Sequence, residues 1–300
     1  MSRLCGEAHV YVRYLTEPEA SEPVLQMERQ QDTVGPPRGA LASANNHAIR
    51  QGKPQPDWVP NHSELDQLRH FLAERPDDSG PPLELLQPDD PELGPKAKKL
   101  MERDGYAIIV DALSSQQLEQ MRQATQRAIQ TIVADERTAG GRNGNRGGFR
   151  FSFGSAFMMG LIEAPASLGW HVLVDPPAVS TALCAIFESD NYRCTGLAGD
   201  FCMPGCNQYQ QMHDDMGGAA RELDRCPFVV VNYPMVDFTK MNGPMRIIPG
   251  TMQTGANGEQ KYVNLDEEPV DMLRSTLVGC PAGAAILRDP RTWHGIPSHL

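Results

Sequence analysis

The sequence predicts a mainly β fold, a jelly roll with helices flanking it. Three observations carry that expectation. After Asn191 the chain breaks into short apolar segments punctuated by Gly and Pro; a long amphipathic helix precedes them; and a His-x-Asp pair is followed far along the chain by a further His. Many short strands with frequent turns read as a sandwich or barrel, and helices concentrated upstream are placed to cover one face. A jelly roll also brings a ligand pair on one strand against a ligand from a distant strand.

Residues 1–96 differ from the rest. They are rich in Pro, Gln, Asp, Glu and Asn, with runs such as Pro76-Asp77-Asp78-Ser79-Gly80-Pro81-Pro82. Such composition predicts a partly disordered extension carrying one or two short helices. The best local element is 63–74, where Leu65, Leu68 and Leu72 recur at helical spacing behind Ser63. The ordered domain is expected over 97–300. Lys96 to Asp104 reads as a short helix and Gly105 to Val110 as a strand. Ser114-Ser115-Gln116-Gln117 offers a capping box, with Gln117 three residues beyond the cap. Behind it Leu118, Met121, Ala128, Ile129, Ile132 and Val133 follow a 3.6-residue period. Residues 139–148 form a Gly-rich loop without the Gly-Lys-Ser/Thr ending of a phosphate loop. A solvated loop is its plainest reading; the other is a loop beside the site, with Arg142, Arg146 or Arg150 meeting an anionic substrate. Residues 228–233, 245–248 and 284–288 read as strands.

Composition narrows the function classes. The chain has 300 residues and a 40% hydrophobic fraction, enough for a buried core. A formal charge of −11 argues against nucleic acid, whose phosphates need a basic face. No apolar run approaches the roughly 18 residues of a membrane span, and the first residues lack the apolar stretch of a signal peptide. A cytoplasmic protein acting on a small molecule is the expectation, with oligomeric state open. The seven cysteines form no Cys-x-x-Cys pair, so reduced buried thiols are expected rather than a disulfide framework. Cys202 and Cys206 precede His213, but no fourth zinc ligand stands at a sensible spacing.

His213-Asp214-Asp215 and, 81 positions later, His294 carry the chemistry. Two neutral imidazoles and one carboxylate occupy one face of Fe(II) and leave the other open. His213 and Asp215 are two residues apart, so on a strand both point to the same side.

Four segments together resemble the phytanoyl-CoA dioxygenase family of Fe(II)/2-oxoglutarate-dependent oxygenases. They are Asp104-Gly105-Tyr106-Ala107-Ile108-Ile109 with Ala112-Leu113-Ser114 and the helix behind it; Gln210-Gln211-Met212-His213-Asp214-Asp215; Asn242-Gly243-Pro244-Met245-Arg246-Ile247-Ile248-Pro249-Gly250-Thr251; and Arg288-Asp289-Pro290-Arg291-Thr292-Trp293-His294-Gly295. The resemblance implies a double-stranded β-helix core of cupin type. It implies His213, Asp215 and His294 as iron ligands, and Gln210 and Thr251 as co-substrate contacts. Asn242 and Gly243 would form the turn that returns Met245 to Ile248 beside the metal strand, and Trp293 would pack beneath the site. The implied cofactors are Fe(II), 2-oxoglutarate and O2, and the implied reaction is C–H hydroxylation with release of succinate and CO2. In related halogenases a small residue replaces the carboxylate ligand, so Asp215 points to hydroxylation.

Two positions depart from the family. The resemblance implies an Arg about ten residues past the distal His, pairing bidentately with the far carboxylate of 2-oxoglutarate. This sequence runs six residues past His294, so the last strand and that Arg are not among these residues. The expectation is therefore a roll lacking its last strand. Ile296 stands where many relatives have a small polar residue. Three readings stay open: a 2-oxoglutarate-dependent hydroxylase, a family member that binds metal or ligand without turnover, and a cupin-like metalloenzyme using the same triad without 2-oxoglutarate.

Overall fold

The computed structural model describes residues 5–14, 83–138, 143–144, 147–148, 150–203, 213–216, 228–239, 244–252 and 275–295. Its strands are β1 (Cys5–Tyr14), β2 (Leu85–Leu86), β3 (Tyr106–Ile109), β4 (Asn143–Gly144), β5 (Gly147–Gly148), β6 (Arg150–Ser152), β7 (Tyr192–Cys202), β8 (Phe228–Pro234), β9 (Arg246–Ile247), β10 (Thr276–Leu277), β11 (Ala285–Arg288) and β12 (His294–Gly295). The α-helices are α1 (Leu93–Asp104), α2 (Ser115–Ala134), α3 (Phe153–Met158) and α4 (Pro177–Phe187). None of the described helices is long and apolar enough to cross a membrane.

Seven strands form a large sheet in the order β2-β3-β11-β8-β1-β7-β6, and β10-β9-β12 form a small one. Side-chain alternation divides the large sheet between two cores. Ala107, Ile109, Val229, Val231, Ala285 and Leu287 face the helices, joined by Met121, Ile132, Leu183 and Trp170. The residues between them, Tyr106, Ile108, Ala284 and Ile286, face the small sheet and pack on Met245, Ile247 and Val278. The result is a mainly β jelly roll with helices on its outer face. Strands buried on both faces read as continuous apolar runs, which is how Phe228 to Tyr233 looks.

The helix start at Ser114 follows the sequence. The Ser114 hydroxyl accepts the Gln117 N–H at 3.2 Å, and the Gln117 side chain accepts the Ser114 N–H at 2.9 Å. The helix behind it runs to Ala134 with Met121, Ala124, Ala128, Ile129 and Ile132 buried.

The N-terminal boundary is corrected. Residues 5–14, expected within a partly disordered extension with short helices, form a strand inside the large sheet, paired with β7 on one side and β8 on the other. Ala8, Val10 and Val12 alternate and are 1%, 1% and 2% exposed. That period of two is the signal that a search for helical periodicity passes over. Order also starts before residue 97: β2 pairs in parallel with β3, and α1 begins at Leu93. The helix expected over 63–74 lies outside the described residues. Within the Gly-rich loop, Asn143–Gly144 and Gly147–Gly148 pair as a small antiparallel hairpin.

Ser114→Ala removes the hydroxyl that accepts the Gln117 N–H, one half of the capping box. We expect a loss of about 1 kcal/mol of stability by urea denaturation, with bound metal unchanged. An unaltered midpoint would mean that the cap contributes nothing.

Candidate metal centre

Two backbone hydrogen bonds bring the distant histidines together. The His213 N–H donates to the His294 carbonyl and the His294 N–H to the His213 carbonyl, both at 2.9 Å. Residues that exchange both bonds stand directly opposite each other, with side chains on one face. Their rings accordingly lie 4.3 Å apart between centroids. Asp215 is two residues beyond His213 and returns to the same face, its N–H held by the Pro290 carbonyl at 2.9 Å.

One ligand atom from each of His213, Asp215 and His294 lies within 4.8 Å of the other two. Each imidazole Nε2 is 3.6 Å from an Asp215 carboxylate oxygen. Adjacent ligands of a first-row metal at about 2.1 Å sit roughly 3 Å apart, so small side-chain rotations close the set on an ion. Two neutral nitrogens and one carboxylate on a single face are the donor set that suits Fe(II) with open positions. The three residues expected as ligands therefore converge, and their donor chemistry fits the metal.

The charges around them fit as well. Burial holds the His294 imidazole well below its usual range, and the nearby Arg288 guanidinium pushes it the same way. The ring is neutral and its lone pair is available. The Thr292 carbonyl can only accept; at 3.0 Å from Nδ1 it places the ring proton there and leaves Nε2 for a metal. Arg288 Nη1, 3.2 Å from the same Nδ1, is then a charge contact rather than a hydrogen bond. Burial raises the Asp215 carboxyl, but the charge and hydrogen bond of Arg288 outweigh it and hold the carboxyl far below the usual range. Arg288 Nη2 donates to Asp215 Oδ2 at 2.8 Å.

Arg288 is the residue that the sequence reading missed. In the sequence it stands only as the first residue of the segment that carries the distal histidine. The signal was strand alternation: Ala284, Ile286 and Arg288 share the inner face of the large sheet, so the third of them points at whatever the small sheet carries.

The turn between β11 and His294 is braced from two sides. The Gly105 carbonyl accepts the Asp289 N–H at 2.9 Å and the Thr292 hydroxyl at 3.2 Å. Gly105 has φ +82°, and a Cβ there would lie 2.1 Å from Thr292 Oγ1. From the other side, the Thr251 hydroxyl accepts the Trp293 N–H at 2.9 Å and donates to the Ile248 carbonyl at 2.7 Å. Thr251 was expected to contact the co-substrate. Here its hydroxyl bridges two backbone groups and braces the turn beside His294. Inside the turn, the buried Asp289 carboxylate accepts the Arg291 N–H and its guanidinium. Trp293 is buried.

Gln210, Arg142, Arg146, Asn242, Gly243 and Ile296 lie outside the described residues. Arg150 is buried on β6 and pairs with Asp200 at 3.2 Å.

The fold and donor set are those of a jelly roll with a candidate metal site on its inner face. The sequence matches the family model for phytanoyl-CoA dioxygenase (PhyH) over residues 101–297, and the chain belongs to that family. Members are Fe(II)- and 2-oxoglutarate-dependent oxygenases that use O2 as the second co-substrate, and this chain is a non-haem iron oxygenase of that kind. Similar solved structures include AviO1 from Streptomyces viridochromogenes Tue57, at 13% identity over 69% of this chain and 88% of that one, TM-score 0.47. The non-haem α-ketoglutarate-dependent carbocyclase SnoK from nogalamycin biosynthesis is 16% identical over 68% and 78%, TM-score 0.45. The epimerase SnoN, solved with Fe3+, α-ketoglutarate and a nogalamycin compound, is 15% identical over 70% and 78%, TM-score 0.42. No curated protein matches the chain by sequence.

Two substitutions test the bracing. Gly105→Ala combines a left-handed backbone with the clash on Thr292, and should cost at least about 1–3 kcal/mol in thermal unfolding. A neutral result would show that the turn yields freely. Arg288→Gln should weaken Co(II) binding about 10–100-fold in a visible-absorption titration while the chain stays folded. Undiminished affinity would remove Arg288 from the site.

Proposed function

We propose that the chain hydroxylates an aliphatic C–H of a small molecule, with His213, Asp215 and His294 holding Fe(II). The observation that carries this reading is the convergence of those three side chains on one face across the His213–His294 pair. Bound there, Fe(II) with 2-oxoglutarate and O2 supplies the oxidising chemistry that couples loss of CO2 and formation of succinate to insertion of one oxygen into C–H. The chain's own residues do the rest. Arg288 keeps Asp215 ionised and fixes the direction of its carboxylate. The Thr292 carbonyl keeps the His294 proton on Nδ1. The apolar cluster of Tyr106, Ile108, Met245 and Ile247 lies beside the strands that carry Arg288 and His294, with Ile247 paired to His294 and Tyr106 to Arg288.

Asp215 supports hydroxylation over halogenation because its carboxylate takes the position that a halide would need. The substrate we infer is a small molecule rather than nucleic acid, in keeping with the net charge of −11. Gln210 stays a proposed co-substrate contact, three residues before the first ligand.

Incubation with Fe(II), ascorbate, O2 and 2-oxoglutarate should yield succinate. His213→Ala and Asp215→Ala should lose iron and succinate together. Iron binding without succinate at any substrate supplied would leave a metal-binding relative without turnover. Full iron content in both variants would contradict the ligand assignment.

A further inference from the structure

The strand pairing contains one irregularity. From residue 192 onward the pairs are nested: β9 with β10 innermost, β8 with β11 outside them, and His213 with β12 outside those. Each outward step switches between the small and the large sheet. The next step assigns β7, in the large sheet, to a strand that follows Gly295. The strand actually seated between β7 and β8 is β1, from residues 5–14. It is antiparallel to both neighbours, the direction that nesting requires of a strand leaving β12.

The seat is fully used. The register with β7 runs from Cys5↔Cys202 to Tyr14↔Tyr192 with one irregularity between Tyr11 and Val12, and that with β8 runs from Glu7↔Pro234 to Arg13↔Phe228. Ala8, Val10 and Val12 join the core beneath the helices. Without β1, β7 and β8 would present two facing unpaired edges inside one sheet.

We propose that Cys5–Tyr14 is the closing strand of the jelly roll, delivered from the N-terminal side of the metal-ligand segments. It takes the place that strand nesting gives to a segment after His294. The consequence for the site follows from alternation. His9, Tyr11 and Arg13 fall on the inner face, opposite Asn232, Val230 and Phe228. Val230 is also the partner of Arg288. Tyr11 therefore stands in the same cross-strand row as the arginine that holds Asp215, and Arg13 one row beyond it, with its guanidinium 5.5 Å from the Phe228 ring centre. Residues 5–14 belong to the oxygenase domain and form part of the inner wall that carries Arg288. This inference rests on strand pairing and does not depend on the hydroxylase reading.

The register supplies a test in the full chain. Cys5 and Cys202 are direct partners. Antiparallel partners stand about 4.5–5.5 Å apart at Cα, within the span a disulfide bridges. Mild oxidation of a mixture of 15N-labelled and unlabelled protein, followed by peptide mapping, should give a Cys5–Cys202 link within single chains. Links found between labelled and unlabelled chains would mean that a second copy supplies the strand, and would overturn the proposal. Should the sulfurs fail to join, hydrogen exchange decides the matter. Peptides covering 8–12 should exchange at least about 100-fold more slowly than an unstructured segment; exchange within seconds would overturn it. Val10→Asp, aimed into the core, should lower both the melting temperature and Co(II) affinity, with the milder Val10→Ala lowering the melting temperature less. If neither variant changes the melting temperature, the strand is not part of the fold.

Discussion

One antiparallel pair, His213 with His294, is the constraint on which the site depends. Its two reciprocal hydrogen bonds join segments 81 residues apart and leave both imidazoles on one side. Asp215 joins them because a strand repeats every two residues. Three ligand directions follow from backbone pairing.

The large sheet then determines what surrounds that pair. Its outer face is spent on the helices and its inner face on the small sheet. β11 contributes to both cores and ends by turning Arg288 toward Asp215 and His294. The five residues from 289 to 293 carry the chain from that arginine to the ligand, and they are held by Gly105 on one side and Thr251 on the other. The segments that resemble the family most strongly thus meet in space. Asp104-Gly105-Tyr106 lies against the turn, Pro249-Gly250-Thr251 braces it, and the distal histidine follows from it. Gly105 is required there because only a residue without Cβ fits beneath Thr292 in a left-handed conformation.

Much of this was legible in the chain. The Ser114 capping box, the helix behind it and the strands at 228–234 and 285–288 have strong local signals, and the structure follows them. The three candidate ligands were legible because four segments in register surround them; His-x-Asp alone is a weak signal. What escaped was non-local. Ala8-His9-Val10-Tyr11-Val12 alternates cleanly, but its polar surroundings read as extension, and its strand forms only because two distant strands leave a seat for it. The Thr251 hydroxyl bonds the backbone of Ile248 and of Trp293; the second partner lies 42 positions away and has no local signal. Arg288 sits in an apolar run where a buried cation needs a partner 73 residues away, and no local pattern announces that partner.

The central claim is that two imidazoles and one carboxylate on this face form a single iron site. X-ray absorption of the protein loaded anaerobically with Fe(II) measures it most directly. The account predicts one iron per chain with a first shell of nitrogen and oxygen only, and outer-shell scattering fitted by two imidazoles. A sulfur in the first shell would point to cysteines such as Cys202. That result, or iron bound without imidazole, would contradict the account.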